Sequence, residues 1–406
     1  MTATAPHRPT ATAPHPPTAA EPSPPRRTGR RATDLLNAVP AARSVAGHGA
    51  DAADRDGRLA PETVAALTDA GFHRLFVPPE RGGAGGGFAT LVSAVAAVGE
   101  GCASAAWVAA VLANFGRLAG FLPPEGRSVI WGDGPDVRLV GAVAPTGHAR
   151  PGPGGWLLSG SWQYVSGAAF SHWALLAGRT AEDGGEEVRF FAIPRHAYEI
   201  TGTWSAPGMR GTGSDTVRVD EAFVARELSF PRRLAADGAL SAHPWLTVPS
   251  AAVTPLCFVA PALGAAASAL AAWAQRLRDA PTRSTDAARV ALARSMGEVD
   301  AARLLVDRAA ATADLGRVGP SDAVRNARDA ALAMELISTA VSRLYRLVGT
   351  SGQSDPRFQR PWRDIATAAG HALLSFEAAG RSYTEQLTTS PGAPYGARRD
   401  ARSHRE

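Results

Sequence analysis

Residues 359–374 read QRPWRDIATAAGHALL, and this stretch decides how the rest of the chain is interpreted. It carries an adjacent arginine and aspartate, Arg363 and Asp364, followed by His371 and Ala372. The stretch falls in the last of four long segments with a helical period. We predict these helices at about 252–279, 284–315, 320–348 and 359–388. This pattern predicts a C-terminal four-helix bundle.

The residue pattern changes upstream of this bundle. Between about Val137 and Leu234, short β-prone runs are separated by Gly and Pro, which predicts an antiparallel barrel or sandwich. From Ala32 to about Leu122 the period is helical again, and Phe88–Val98 and Ser104–Phe121 are predicted as apolar helices. The order helical, β, helical predicts an α+β fold with a small β domain between two helical domains.

Composition and charge distribution indicate which segments are disordered and which partners the folded part does not favour. Segment 1–31 has eight prolines and no apolar run, so it is predicted to be disordered. The chain has 406 residues and a net charge of +5, and all 42 basic residues are arginine. Two Arg-rich tails carry this charge, which leaves 32–390 with a net charge of −1 and argues against a nucleic-acid partner. The predicted segments are a leader at 1–31, a helical domain at 32–135, a β domain at 136–240, a helical bundle at 241–390 and a disordered tail at 391–406.

Localisation follows from the cysteines and the apolar runs. Two cysteines, Cys102 and Cys257, are too few for a disulfide scaffold and indicate a reducing cytoplasm. Their isolation also offers no metal-ligand spacing, so no metal is expected. A secretory signal would need an apolar stretch after the first charges, and the N-terminal residues lack one. We therefore expect a cytoplasmic protein without a membrane-spanning helix.

Three further motifs precede the bundle. The first is GCASAAWVAAV at 101–111, which reads mainly as a packed apolar helix. The second is GSWQYVSG at 160–167, preceded by GAVAPTG at 141–147. The third, GMRGTGSDTVRVDEAFV at 208–224, has Gly211 and Gly213, which permit positive φ and could let backbone N–H groups converge near Thr212 and Ser214.

The order and spacing of the four motifs resemble the acyl-CoA dehydrogenase fold over about residues 32–388. More closely, they resemble its two-component (group D) monooxygenases that depend on reduced flavin, of the 4-hydroxyphenylacetate and dibenzothiophene type. The resemblance implies that the Tyr164 ring lies against a flavin and that the Ser166 hydroxyl bonds near its N5. The implied cofactor-binding residues are Ala144, Trp162, Tyr164, Ser166, Thr212, Ser214 and Arg363.

The resemblance also assigns the catalytic residues, which are Ser166 and His371. Medium-chain acyl-CoA dehydrogenases carry their proton-abstracting Glu eight residues after the Arg-Asp pair, where this chain has Ala372. The hydroxylases carry a His one place earlier, which matches His371. An imidazole there could deprotonate a phenol or amine, or hydrogen-bond a flavin hydroperoxide. Related hydroxylases often have a second His at the position of Phe115, which this chain lacks.

The implied activity is that of a monooxygenase. FMNH2 or FADH2 would come from a separate NAD(P)H:flavin reductase, react with O2 to a C4a-hydroperoxide, and hydroxylate a small aromatic or polyketide-like metabolite in natural product biosynthesis. The Arg-rich FAD motif of the fold is not recognisable around Arg283, Ser284 and Thr285, so FMN stands beside FAD. The resemblance also implies a homotetramer.

Three alternatives stay open at this point. One is N-oxygenation of an amine or amino sugar on the same scaffold. Another is an acyl-CoA dehydrogenase with its base on another helix, for which Glu298 is the candidate. The third is a binding or scaffold protein without catalysis. A nicotinamide, P-loop or zinc-protease function is not supported, because the sequence lacks a GxGxxG motif opening a βα unit, a P-loop and an HExxH motif.

Overall fold

A computed structural model of the chain describes residues 32–182, 185–239, 241–279 and 285–389. The predicted leader at 1–31 and tail at 391–406 lie outside these residues. The domain boundaries stay predictions.

Six helices form the N-terminal part of the described chain. Helix α3 begins at Pro61 and ends before Gly71, whose φ of 97° is the left-handed cap that glycine adopts readily. Pro61 and Gly71 therefore set the start and the end of this helix. The six helices are α1 (Ala32–His48), α2 (Ala50–Asp56), α3 (Pro61–Ala70), α4 (Phe88–Gly99), α5 (Ala103–Ala119) and α6 (Pro124–Trp131).

The strands of the described residues form one seven-stranded sheet in the order β5-β6-β2-β1-β3-β4-β7. Strand β1 pairs with β3 in parallel, and the other neighbouring pairs are antiparallel. The strands are β1 (Leu139–Gly152), β2 (Gly155–Val165), β3 (Trp173–Glu182), β4 (Gly185–Pro194), β5 (Glu199–Thr201), β6 (Asp215–Ala225) and β7 (Ser229–Pro231).

The predicted α+β class is confirmed and the sheet is mostly antiparallel, but it is not closed into the predicted barrel. The sheet stays open because its edge strands, β5 and β7, are three residues long and pair only with their inner neighbours. A closed barrel would need those two edges to pair with each other.

The C-terminal part is a bundle of long helices with shorter ones attached. The predicted final helix at 359–388 is wrong, because it is two helices separated by a break at Gly370–Ser375. The helices after the sheet are α7 (Arg232–Asp237), α8 (Pro244–Thr247), α9 (Ser250–Asp279), α10 (Asp286–Asp314), α11 (Pro320–Leu347), α12 (Gly349–Gln353), α13 (Pro356–Ala369) and α14 (Phe376–Thr389).

Helix α9 is the central helix of the molecule. It packs against α4 and α5 of the N-terminal part and against α10, α11 and α13 of the bundle. Such a helix is expected to be apolar all round. Its residues carry no charge before Arg276, and among the described residues it is the one helix long and apolar enough to cross a membrane. Two-thirds of its apolar window is buried inside the protein, as expected for a central core helix.

Candidate active site

A cavity of about 590 Å³ lies where the helical parts meet the sheet. Its volume is in the range of small-molecule sites. Helices α5 and α9, strands β1 and β2, the connection before β6 and the break after α13 all contribute to it. Its lining includes Trp107, Val111, Asn114, Phe115, Ala144, Tyr164, Ser166, Trp204, Met209, Thr212, Ser214, Arg232, Phe258, Thr367, His371 and Ala372.

Bulges in two strands shape one wall of this cavity. Strand β1 loses its register with β3 between Ala142 and Gly147, and β2 loses its register with β6 between Trp162 and Val165. Pro145 in the first bulge has no N–H to give to a ladder. Because bulges turn side chains away from strict alternation, residues of both bulges line the cavity.

The second bulge separates Trp162 from Tyr164. Tyr164 is 60% exposed and lines the cavity, whereas Trp162 is fully buried. The Trp162 indole donates to the Ala177 carbonyl at 2.7 Å and fills the space beside Gly147 and Gly160. This placement corrects the predicted cofactor contact of Trp162, because the residue packs inside the sheet.

Ser166 lies directly after β2, at the end of the cavity next to α5. Its hydroxyl accepts the indole N–H of Trp107 at 3.0 Å and lies 2.7 Å from the Ser214 hydroxyl. The Ser214 hydroxyl lies 2.7 Å from that of Thr212. The structure therefore brings five of the predicted cofactor-binding residues into one cavity: Ala144, Tyr164, Ser166, Thr212 and Ser214.

The turn that carries Thr212 and Ser214 differs from its prediction. Gly213 has a φ of 50° as expected, but the other left-handed residue is Met209. Gly211 is needed for close approach, since a Cβ there would lie 2.9 Å from the Cβ of Ala53. The N–H groups of Thr212 and Gly213 bond carbonyls inside the turn. These two N–H groups are therefore already paired within the protein, and the turn presents the hydroxyls of Thr212 and Ser214 to the cavity.

Helix α13 holds this turn in place. The Asp364 carboxylate accepts the Met209 N–H at 2.5 Å, and the Thr367 hydroxyl accepts the Gly208 N–H at 3.0 Å. Burial raises the pKa of Asp364 to about 6. Arg363 forms a two-pronged ion pair with Asp54, at 2.6 and 3.0 Å. Arg363 is therefore a positioning residue outside the cavity, which corrects its predicted cofactor contact.

His371 lies in the break between α13 and α14. Its ring stacks on Phe258 with centroids 4.0 Å apart and meets the edge of Trp107 at 5.7 Å. The Nδ1 atom accepts the N–H of Leu373 at 3.2 Å, so the neutral ring carries its proton on Nε2. Burial lowers the pKa of His371 to about 4. At neutral pH the residue is an uncharged hydrogen-bond donor in the cavity wall.

We expect the His371 ring to titrate with a midpoint near pH 4 instead of near pH 6.5. The folded protein keeps the ring neutral where the unfolded chain would protonate it, so stability decreases as the pH falls from about 6.5 toward 4. Histidine ¹⁵N NMR of the flavin-free protein measures both the midpoint and the tautomer. A midpoint between 6 and 7, or a proton on Nδ1, would contradict this geometry.

Trp107 lines the cavity, although its helix was predicted from the sequence mainly as a packed apolar helix. Its indole N–H bonds Ser166 and its ring touches His371, so it connects the two predicted catalytic residues. Arg232 was also missed, and it is the one permanently charged side chain among the described residues that line the cavity. Neither residue has a sequence signal of its own, because an apolar helix and an exposed arginine are common features.

Comparison with known proteins identifies the family. Residues 40–119 and 256–376 match the families described as Acyl-CoA dehydrogenase, N-terminal domain, and Acyl-CoA dehydrogenase, C-terminal domain. The oxygenase component of the FADH(2)-dependent resorcinol hydroxylase of Rhizobium sp. (strain MTP-10005) is 30% identical over 353 residues, which are 80% of this chain and 86% of that protein. The chain belongs to the flavin-dependent monooxygenases.

Two other relatives support this assignment. The flavin-dependent monooxygenase oxygenase subunit HsaA of Mycobacterium tuberculosis (strain ATCC 25618 / H37Rv) is 31% identical over 336 residues, which are 78% of this chain and 85% of that protein. The structure of XiaF from Streptomyces sp. in complex with FADH2 and glycerol matches with a TM-score of 0.81 at 27% identity. That match covers 89% of this chain and 96% of XiaF.

The monooxygenase has no carboxylate where a dehydrogenase would need one. Ala372 lines the cavity at the position where the resemblance places the dehydrogenase base. Glu298 lies on α10, where Arg343 binds it at 2.7 and 2.8 Å and lowers its pKa. Glu298 does not line the cavity, so neither of the two positions considered for a dehydrogenase carboxylate supplies one there.

Three further sequence expectations concern the position of Phe115, the FAD motif and metal binding. Phe115 lines the cavity as an apolar residue, in place of the second His of related hydroxylases. Arg283 and Ser284, near the expected FAD motif, lie outside the described residues, and Thr285 caps α10. The described residues contain no group of three His, Cys, Asp or Glu side chains suited to a metal ion.

Proposed function

We propose that this monooxygenase hydroxylates a small aromatic metabolite with one atom of O2, using FADH2 or FMNH2 from a separate NAD(P)H:flavin reductase. The observation that carries the proposal is the single cavity that joins the Ser166 hydroxyl, the neutral His371 ring and a wall of aromatic side chains. The resorcinol hydroxylase and XiaF, whose descriptions name FADH2, favour FADH2 as the flavin.

The cavity residues fit a flavin. Tyr164 presents an exposed aromatic face beside Trp204, with ring centroids 5.6 Å apart, on which a planar ring system can lie. Ser166, Thr212 and Ser214 offer hydroxyls for its polar edge. Ala144 leaves room on the strand side. A reduced flavin held there supplies the electrons that activate O2.

The remaining wall fits an aromatic substrate. Trp107, Val111, Phe115 and Phe258 form an apolar surface that excludes water. Asn114, Thr254 and His371 add polar groups to it, and the Nε2–H of His371 can donate to an oxygen atom of the substrate or to activated oxygen. Arg232 at the cavity wall favours an electron-rich or anionic phenol over a cationic amine.

Oxygen-isotope labelling tests the activity. The purified enzyme, supplied with a flavin reductase, NADH and either FAD or FMN, is incubated under ¹⁸O2 with a panel of phenols, indoles and amines. A hydroxylated aromatic product that contains one ¹⁸O atom supports the proposal. An N-oxygenated amine would support the alternative on the same scaffold. Conversion of O2 to H2O2 alone with every compound would overturn the proposal.

Replacing Ser166 by alanine is expected to lower the product yield per O2 consumed by about three- to tenfold, because one hydrogen bond to the flavin edge is lost. Correspondingly more H2O2 should be released. Product and H2O2 are quantified in the same reaction. Ser171→Ala is a matched control, since that buried serine bonds Ala168 and Tyr198 outside the cavity. Equal yields in Ser166→Ala and the wild type would remove Ser166 from the site.

We also propose that the enzyme is a cytoplasmic homotetramer. Exposed apolar side chains on α10, namely Val290, Met296 and Leu304, support self-association of the bundle. Light scattering measures the assembly, and a monomeric wild-type protein would contradict it. Cell fractionation tests the compartment.

A further inference from the structure

A chain of buried hydrogen bonds runs from α5 to the turn before β6. The Trp107 indole donates to Ser166 at 3.0 Å, the Ser166 and Ser214 hydroxyls lie 2.7 Å apart, and the Ser214 and Thr212 hydroxyls also lie 2.7 Å apart. The chain ends where Thr212 donates to the carbonyl of Met209 at 2.7 Å. The three hydroxyl-bearing residues are buried, so water does not complete their bonds freely.

The two ends of the chain fix the direction of every bond in it. A carbonyl oxygen can only accept, so the single hydroxyl proton of Thr212 goes to Met209. Ser214 must therefore donate to Thr212, and Ser166 must donate to Ser214. The indole N–H at the other end can only donate. The proton of Ser166 is consequently used within the protein, and its oxygen has one lone pair left for a ligand in the cavity.

This direction matters because the two redox states of a flavin differ at N5. The reduced flavin carries an N–H there, which is a donor, whereas the oxidised flavin has a bare nitrogen, which is an acceptor. We propose that the chain Trp107–Ser166–Ser214–Thr212 holds Ser166 as an obligate acceptor and thereby selects the reduced flavin over the oxidised one. The inference rests on the proposed function, since it places the flavin edge beside Ser166.

Selection of this kind suits an enzyme that takes its flavin from solution in the reduced form and releases it oxidised. With the reduced flavin, Ser166 completes a donor–acceptor pair. With the oxidised flavin, two acceptors face each other and one is left unsatisfied. An unsatisfied buried polar group is costly, so the preference is expected to be about tenfold or more in dissociation constant.

Ser214→Ala tests the proposal directly. The variant removes the acceptor of the Ser166 proton, so Ser166 becomes free to donate to the oxidised flavin. We expect the affinity for oxidised FAD and FMN to rise about tenfold, while anaerobic binding of the reduced forms changes much less. The two-electron potential of the bound flavin should fall by about 30 mV for each tenfold decrease in the ratio of the oxidised-flavin to the reduced-flavin dissociation constant.

A second variant and a control make the result specific. Thr212→Val should act in the same direction, because Ser214 can then turn its proton toward Ser166 and release the proton of Ser166. Thr216→Val is the control, since this buried threonine on β6 bonds Thr203 outside the chain. It should leave the ratio of the two dissociation constants unchanged. Thermal melts of all variants confirm that they fold.

The outcomes separate this inference from the proposed function. If the wild type does not bind reduced flavin, the proposed function fails and the inference fails with it. If the wild type binds reduced flavin but Ser214→Ala and Thr212→Val keep its ratio of dissociation constants, the inference alone is overturned. The inference is supported if both variants lower the ratio of the oxidised-flavin to the reduced-flavin dissociation constant while Thr216→Val leaves that ratio unchanged.

Discussion

Replacing His371 by alanine is expected to lower the rate of product formation by about 10²–10³-fold while reduced-flavin affinity changes little. The His371 ring lines the cavity with its proton on Nε2, because Nδ1 accepts the N–H of Leu373. A preorganised donor in a water-excluded site contributes most where negative charge develops on oxygen, and removal of one such donor costs about this much. Single-turnover product formation and equilibrium flavin binding measure the two quantities separately.

His371→Gln distinguishes a donor from a base. A glutamine amide can place an N–H near the position of Nε2, but it cannot take up a proton at neutral pH. Because burial lowers the pKa of His371 to about 4, the structure favours the donor role over proton abstraction. We therefore expect His371→Gln to retain far more activity than His371→Ala. His371→Asn is the matched control, since its shorter amide cannot reach as far.

Two outcomes would contradict the donor role. If His371→Gln is as slow as His371→Ala across the pH range, His371 acts as a base. If His371→Ala hydroxylates at the wild-type rate, the residue only packs against Phe258. The variant should then lose folding stability, which a lower melting temperature would show.

The break at His371 shows where helical periodicity stops being informative. The segment 359–388 keeps a helical pattern, and a single glycine such as Gly370 costs a helix only about 1 kcal/mol. The break depends on distant contacts, because the His371 ring stacks on Phe258 of α9 and Leu374 is buried. Local sequence therefore predicted the helices α9, α10 and α11 to within a few residues, but joined α13 to α14.

The sheet shows a similar limit. Alternation and turn residues predicted where the strands lie, but pairing is a long-range property. The parallel pairing of β1 with β3 and the bulge at 143–146 depend on register between strands. The second bulge turned Trp162 into the sheet and left Tyr164 in the cavity, although strict alternation would put both on one face.

Motif order proposed Ser166 and His371 as catalytic residues. The structure places both in one cavity, and their catalytic roles stay predictions. Trp107 was not found, because its hydrogen-bond partner is 59 positions away and its spacing on α5 is that of an ordinary core residue. Sequence patterns report burial well, but they do not report which polar atom of a buried side chain meets a ligand.

Gly208→Ala is expected to weaken flavin affinity by about 10²-fold, because the added side chain displaces the turn that carries Thr212 and Ser214. A Cβ at this position would lie 2.1 Å from the carbonyl oxygen of Arg363, which belongs to the backbone of α13. The turn must therefore move away from the helix, and the bonds from Gly208 to Thr367 and from Met209 to Asp364 would lengthen or break.

A displacement of this size is sufficient to disable the site. Overpacking of this kind costs about 1–3 kcal/mol of folding free energy, and a shift of about 1 Å in positioning groups can lower activity about 10²-fold. Gly202→Ala is the control, because it lies in the same connection between β5 and β6 and a Cβ there meets no atom within 4 Å. Reduced-flavin titration and thermal melts compare the variants. Wild-type affinity in Gly208→Ala would mean that α13 does not fix this turn, and the positioning roles of Arg363 and Asp364 would then be wrong.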